Sequence, residues 1–218
     1  MNEYTTFKNL VICQPQGPPD PAEVAAVEQA LGVALPACYR QFLDVANGGT
    51  LDHYSVRVPP TPEGEVLCFG DVFYPGRDGH GEYGYGTLLG ELREHRRSLD
   101  LPREVLPIAQ DGGGSTVYLD LTEKGAGRIV ALVHGLPAWT GSSRQQDAFV
   151  ELAPSFDAYV DLLFVDEEYL SETMGLLEDA LRRGDEEQVR ANRTFLDLAV
   201  PDWRDRFDRP AEARSGEG

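Results

Sequence analysis

The chain has 218 residues, 41% of them hydrophobic, and a formal net charge of −18; this is enough apolar material for one large domain, or a domain with an appendage, and too much for global disorder. The charge repels nucleic acid and anionic membranes and favours basic partners, and no apolar run approaches the roughly 20 residues of a membrane-spanning helix. Three widely separated cysteines, Cys13, Cys38 and Cys68, make neither a disulfide framework nor a zinc site, and the Met-Asn-Glu-Tyr start lacks the regions of a secretion signal, so a cytoplasmic protein with buried thiols is expected.

Residues 1–19 read as a loose lead-in with one apolar run, Leu10-Val11-Ile12. Asp20 then caps a helix, with Pro21 in its first turn and Glu23 at capping-box spacing. Val24, Val27 and Leu31 fall on one face, and Gly32 supplies a left-handed stop. Pro36 opens a second helix with Tyr39, Phe42, Leu43 and Ala46 as its apolar stripe, ended by Asn47-Gly48-Gly49. Leu51–Val58 reads as a strand with Tyr54, Val56 and Val58 on one face, broken by Pro59-Pro60-Thr61-Pro62. Glu65–Phe69 is a short apolar strand. Gly70–Gly86 is a long glycine-rich loop holding Tyr74, Tyr83 and Tyr85. Leu88–Arg97 is a helix with a basic end suited to the helix dipole.

Strands follow at Val105–Ala109, Ser115–Leu121, Arg128–Val133 and Phe149–Leu152, the middle pair joined as a hairpin by the turn-rich Thr122–Gly127. Pro154 to about Val165 reads as a closing amphipathic helix. A helical hairpin comes next: one helix through Tyr169, Met174, Leu177, Ala180 and Leu181, a stop at Gly184, a cap at Asp185, and a second helix through Val189, Phe195, Leu196 and Leu198 before Pro201. This order predicts an α+β fold: a mostly antiparallel sheet with helices packed on it at both ends, plus the C-terminal hairpin. The expected boundaries are a lead-in at 1–19, the α+β domain at 20–165, the hairpin packed on the core at 166–209, and a disordered tail at 210–218.

The opening helices, with their Leu31-Gly32 step, Leu35-Pro36 step, aromatic second helix and Asn47-Gly48-Gly49 end, resemble the start of the SUKH superfamily, which includes bacterial immunity proteins and a fungal regulator of cell-wall synthesis. Leu106-Pro107-Ile108-Ala109 with Asp111-Gly112-Gly113-Gly114 resembles the family's middle strand and turn. Tyr118-Leu119-Asp120 resembles its hairpin, and Phe156, Tyr159, Leu162 and Leu163 its closing helix. The resemblance covers roughly residues 20–165 and implies an immunity role, in which a cognate toxin, often a nuclease, is masked stoichiometrically.

Catalytic signatures are absent: there is no phosphate-binding Gly-x-x-x-x-Gly-Lys-Ser/Thr, no His-Glu-x-x-His and no Gly-x-Ser-x-Gly. Asp111–Ser115 is followed by a strand, so it is a turn rather than a phosphate cradle at a helix N-terminus. His53, His80, His95 and His134 are not paired at ligand spacing. His80, flanked by Asp78 and Glu82, gives the one enzymatic reading, a hydrolase; a glycine-rich backbone argues against a preorganised site there. No cofactor or metal is expected. The same loop suits binding, through tyrosines that offer contact area with a polar tip; Phe73 or Tyr74 is expected to be buried and Tyr83 or Tyr85 available. Residues 157–187 carry eleven acidic against two basic side chains. The candidate partner-binding residues are therefore Asp71, Tyr74, Asp78, Glu82, Tyr83, Tyr85, Asp166, Glu167 and Glu168. The expected function is non-catalytic binding of a basic toxin through an acidic surface; a regulatory or scaffold module of the same fold is the alternative. Oligomeric state is left open.

Overall fold

The computed structural model describes residues 4–51, 54–59, 65–76, 86–136, 138–140 and 144–207. Where a loose lead-in was expected, β1 (Tyr4–Phe7) and β2 (Leu10–Cys13) form an antiparallel hairpin. Leu10, Val11 and Ile12 are all buried in the core. The Tyr54 hydroxyl accepts the Val11 N–H and donates to the Asn9 carbonyl, which pins this hairpin's turn.

Helix α1 (Pro21–Leu31) starts on Asp20, whose side chain accepts the Ala22 N–H, and ends at Gly32 with φ 79°. Its last carbonyls, Gln29 and Ala30, receive guanidinium hydrogen bonds from Arg96 and Arg103. Helix α2 (Ala37–Ala46) follows, opened by Pro36 as its N-cap. Its stripe lies wholly in the core: Tyr39, Phe42, Leu43 and Ala46 are all buried.

Of the strand expected over Leu51–Val58, Leu51 is not in a strand, Asp52 and His53 lie outside the described residues, and β3 (Tyr54–Val58) pairs with β4 (Glu65–Cys68). The short β5 (Asp71–Val72) lies inside the stretch read as loop. Thr50 bridges both Cys13 and Asp71, so the N-terminal hairpin joins the edge of the main sheet. Helix α3 (Leu88–Leu99), capped by Thr87, packs on β6 (Val105–Gln110). The main sheet then runs antiparallel through β7 (Thr116–Asp120), β8 (Arg128–Val133) and β9 (Ala148–Ala153), in the order β5-β6-β7-β8-β9. Pro107 sits inside β6 at the cost of a register shift between Pro107 and Ala109, which is how a strand tolerates a residue without an N–H.

The helix expected over 154–165 is a helix only as α4 (Phe156–Leu162), capped by the Ser155 hydroxyl. Leu163 turns extended, and β10 (Phe164–Val165) pairs with Ser55 and Tyr54 of β3. The hairpin then forms as expected: α5 (Glu167–Arg183), a left-handed Gly184, and α6 (Glu186–Ala199) capped by Asp185. An unforeseen α7 (Trp203–Phe207) follows. Tyr4 and Tyr169 both pack against Phe195. Leu170, Leu177 and Leu196 belong to the same buried cluster as Leu10, Tyr39 and Phe156. Leu181 and Leu198, read as stripe positions, are exposed instead. No disulfide joins the three cysteines, and Cys38 and Cys68, expected to be buried, are half-buried, as is Cys13. The expected tail at 210–218 lies outside the described residues.

These elements form the expected α+β architecture, seven helices and ten antiparallel strands among the described residues.

Candidate protein-binding surface

Asp71 is exposed on β5, with its carboxylate 3.4 Å from the Gln110 side-chain amide. Phe73 is buried, as one of the two expectations required. Tyr74 is half-buried, and its backbone clamps the stem of the glycine-rich loop: its N–H donates to the Gly86 carbonyl and its carbonyl accepts from Leu88 N–H. Glu91, itself buried, reinforces this stem by accepting the Gly86 N–H at 2.8 Å. Burial would raise the Glu91 carboxyl, but the hydrogen bonds from His95 and Gly86 outweigh it and hold the group below its ordinary value. Asp78, His80, Glu82, Tyr83 and Tyr85 lie outside the described residues, as does His53.

Asp166 is engaged in the fold itself, capping α5 by accepting the Glu168 N–H at 2.9 Å. Glu167 is exposed and paired with Arg206 of α7 at 2.9 and 3.2 Å. Glu168 is exposed, and its carboxylate has no partner among the described residues. Asp71 and Tyr74 thus sit at the loop stem, whereas Asp166–Glu168 begin α5; no hydrogen bond or ion pair among the described residues joins the two groups. Glu168, Glu172 and Asp179 are exposed along one stripe of α5, Asp179 paired with Arg182 at 2.5 Å, and Glu186 and Glu187 are exposed in the first turn of α6. Leu176, 45% exposed, lies within that stripe. Asp157 and Asp161 on α4 gather around Lys8, whose ammonium is raised by its hydrogen bond to Asp157.

Two polar clusters escaped the sequence reading. Asp120, nearly buried, accepts from the Thr122 N–H and hydroxyl and from Arg128. Burial would raise its carboxyl, yet these bonds hold it below the ordinary value. His95, read as part of a basic helix end, instead faces inward: Nδ1 lies 2.7 Å from the Tyr118 hydroxyl and Nε2 lies 3.5 Å from Glu91. Burial pushes the Tyr118 phenol up to about 12. Tyr118 is only 1% exposed, and this Glu–His–Tyr chain fastens α3 to the sheet.

Among the described residues, no group of three His, Cys, Asp or Glu is placed to hold a metal ion, and no helix is long and apolar enough to cross a membrane. A comparison with curated proteins finds no match. The model of the SMI1/KNR4 family (SUKH-1) matches residues 18–162, which run from the cap of α1 to the end of α4. On that match, over more than half of its length, the chain belongs to the SMI1/KNR4 family (SUKH-1).

Proposed function

We propose that the chain is a non-catalytic binding domain of immunity type, which neutralises a basic protein by stoichiometric masking. The observation that carries this reading is the exposed acidic stripe of α5 and α6, where Glu168, Glu172, Glu186 and Glu187 have no ionic partner among the described residues. Uncompensated like charges on one surface destabilise the free protein slightly and gain free energy when an oppositely charged surface arrives. A nuclease must carry positive surface to bind phosphates, so an acidic inhibitor can stand in for its substrate. In this reading the α5 acids, including Asp166, Glu167 and Glu168, steer the partner. Asp71 and Tyr74 at the loop stem, with Asp78, Glu82, Tyr83 and Tyr85 on their sequence alone, contribute the anchoring contacts.

The test is to co-purify the chain with the product of a toxin-like gene found beside its own. The reading requires a one-to-one complex, loss of the toxin's activity, and weaker binding on double substitution Glu168→Gln/Glu172→Gln, by about tenfold. A toxin that stays active and unbound contradicts it. Breadth of the family supports a regulatory reading as well; an adjacent gene of another kind, whose product binds this same surface, would favour that reading instead.

A further inference from the structure

The charge of the chain is unevenly placed, and one hairpin escapes it. Residues 128–151, covering β8, β9 and their connection, hold two arginines and two carboxylates, a net of zero in a chain of −18. Those charges are also engaged locally: Arg128 pairs with Asp120 at 2.9 Å and Glu151 at 3.2 Å, and His134 Nδ1 lies 2.8 Å from Asp147. The same hairpin bears the most exposed aromatic side chains among the described residues. Trp139 is 86% exposed in a 3-10 turn at its tip, Phe149 is 56% exposed on β9, and Leu136 is 44% exposed.

Leu132 pairs with Phe149, Thr116 with Leu132, and Tyr118 with Val130, so all five stand on the side of the sheet that α3 covers at Tyr118. Phe149 lies against the Tyr118 ring, 6.0 Å between centroids, where that cover stops. The Leu136 N–H bonds the Arg144 carbonyl, which extends the hairpin beyond the last rung of the ladder, and both Leu136 and Trp139 are exposed. β9 is the outermost strand, and among the described residues no strand pairs with its outer edge. An open edge beside exposed aromatics is a surface that natural proteins normally cover.

We propose that a second copy of this chain covers it, giving a two-fold dimer through the β8–β9 hairpin. Charge selects this occupant. A cationic partner is drawn to the acidic helices and gains nothing from a segment of zero net charge. Two copies of a −18 chain repel through most of their surfaces, and this hairpin is a face where they can meet without that penalty. The contact would bury Trp139 and Phe149 as its anchors, the residue types that dominate binding energy at such interfaces. It leaves the α5 stripe free, so the inference stands or falls independently of what that stripe binds.

Sedimentation velocity of the purified full chain across a concentration series tests the proposal, read together with iodide quenching of tryptophan fluorescence. The chain has two tryptophans, and Trp203 is buried, so quenching reports Trp139. The expected result is a species of twice the 24.0 kDa chain mass, with quenching that falls as it forms. Trp139→Ser, at a position too exposed to disturb folding, should weaken association by about thirtyfold or more, and Glu172→Gln should leave it no weaker. A monomer up to about 0.1 mM, a dimer indifferent to Trp139→Ser, or a monomer that uses Trp139 to bind a different protein would each overturn the proposal.

Discussion

Asp120 organises the β7–β8 turn more than any other side chain there. Four donor contacts converge on it, from Thr122 N–H, Thr122 hydroxyl and the Arg128 guanidinium. A Cβ added to Gly125 would sit 2.1 Å from its Cγ, so the turn closes over the carboxylate only because that position is glycine. Asp120→Ala should cost about 2 kcal/mol in urea unfolding, since it strands the Arg128 and Thr122 donors. Gly125→Ala should cost a similar amount by expelling the carboxylate, and the double variant should lose much less than the sum. The pH dependence follows from the lowered carboxyl. Folded Asp120 titrates below the ordinary value of 3.8, so as pH falls the unfolded chain takes up the proton first. The stability it supplies is complete above that value and is lost as pH falls through the folded one. The gap between wild type and Asp120→Ala should therefore hold from neutral pH to about 5 and narrow below about 4; a gap that narrows near pH 6 would assign the effect to another group. A second residue-scale prediction concerns the C-terminus of α1. Arg103→Ala removes its hydrogen bonds to the Gln29 and Ala30 carbonyls and should cost about 1 kcal/mol by thermal unfolding.

At the scale of elements, the extension α5–α7 lies beyond the matched family residues yet shares the core. Leu196 is fully buried, and Phe195 packs on Tyr4 of the N-terminal hairpin. Leu196→Ala should accordingly cost about 3 kcal/mol and lower the single unfolding transition of the whole chain; a separate early transition would show the extension to be an independent unit. Much of the element order was legible where local signals were strong: Asp20 and Gly32 bounded α1, Gly184 and Asp185 divided α5 from α6, and Thr122–Gly127 marked a hairpin. The misses have physical reasons. The β1–β2 turn passes through Lys8 at φ 54°, a left-handed residue that is not glycine and so gives no turn signal. Phe164 and Val165 continue the apolar run of α4, and two residues are too few to show strand alternation. The short α7 depends on burial of Trp203 and its Nε1–H bond to Asp197, a tertiary contact. The candidate site was partly legible. Acid density along 157–187 was visible by counting, but the diversion of Asp166 into a cap and of Glu167 onto Arg206, 39 residues away, was not. Phe149 shares its strand parity with the exposed Glu151, a sign of an outward-facing aromatic that alternation alone could have given.

For the molecule as a whole, charge is sorted by surface: the helical extension carries exposed acids, Glu168, Glu172, Glu186 and Glu187, with no ionic partner among the described residues, and the β8–β9 hairpin is neutral and bears exposed aromatics. On the proposed function, such a division leaves the acidic helices free to attract a basic protein at long range while the hairpin meets a second copy. The most direct measurement is the association rate of the chain with a basic protein captured as the proposed function requires, by stopped-flow fluorescence at ionic strengths from about 0.05 to about 0.5 M. Steering by the α5 and α6 acids predicts a rate that falls by at least about tenfold over that range, with a shallower fall for Glu168→Gln/Glu172→Gln. A rate that does not change with salt would contradict binding through the acidic surface.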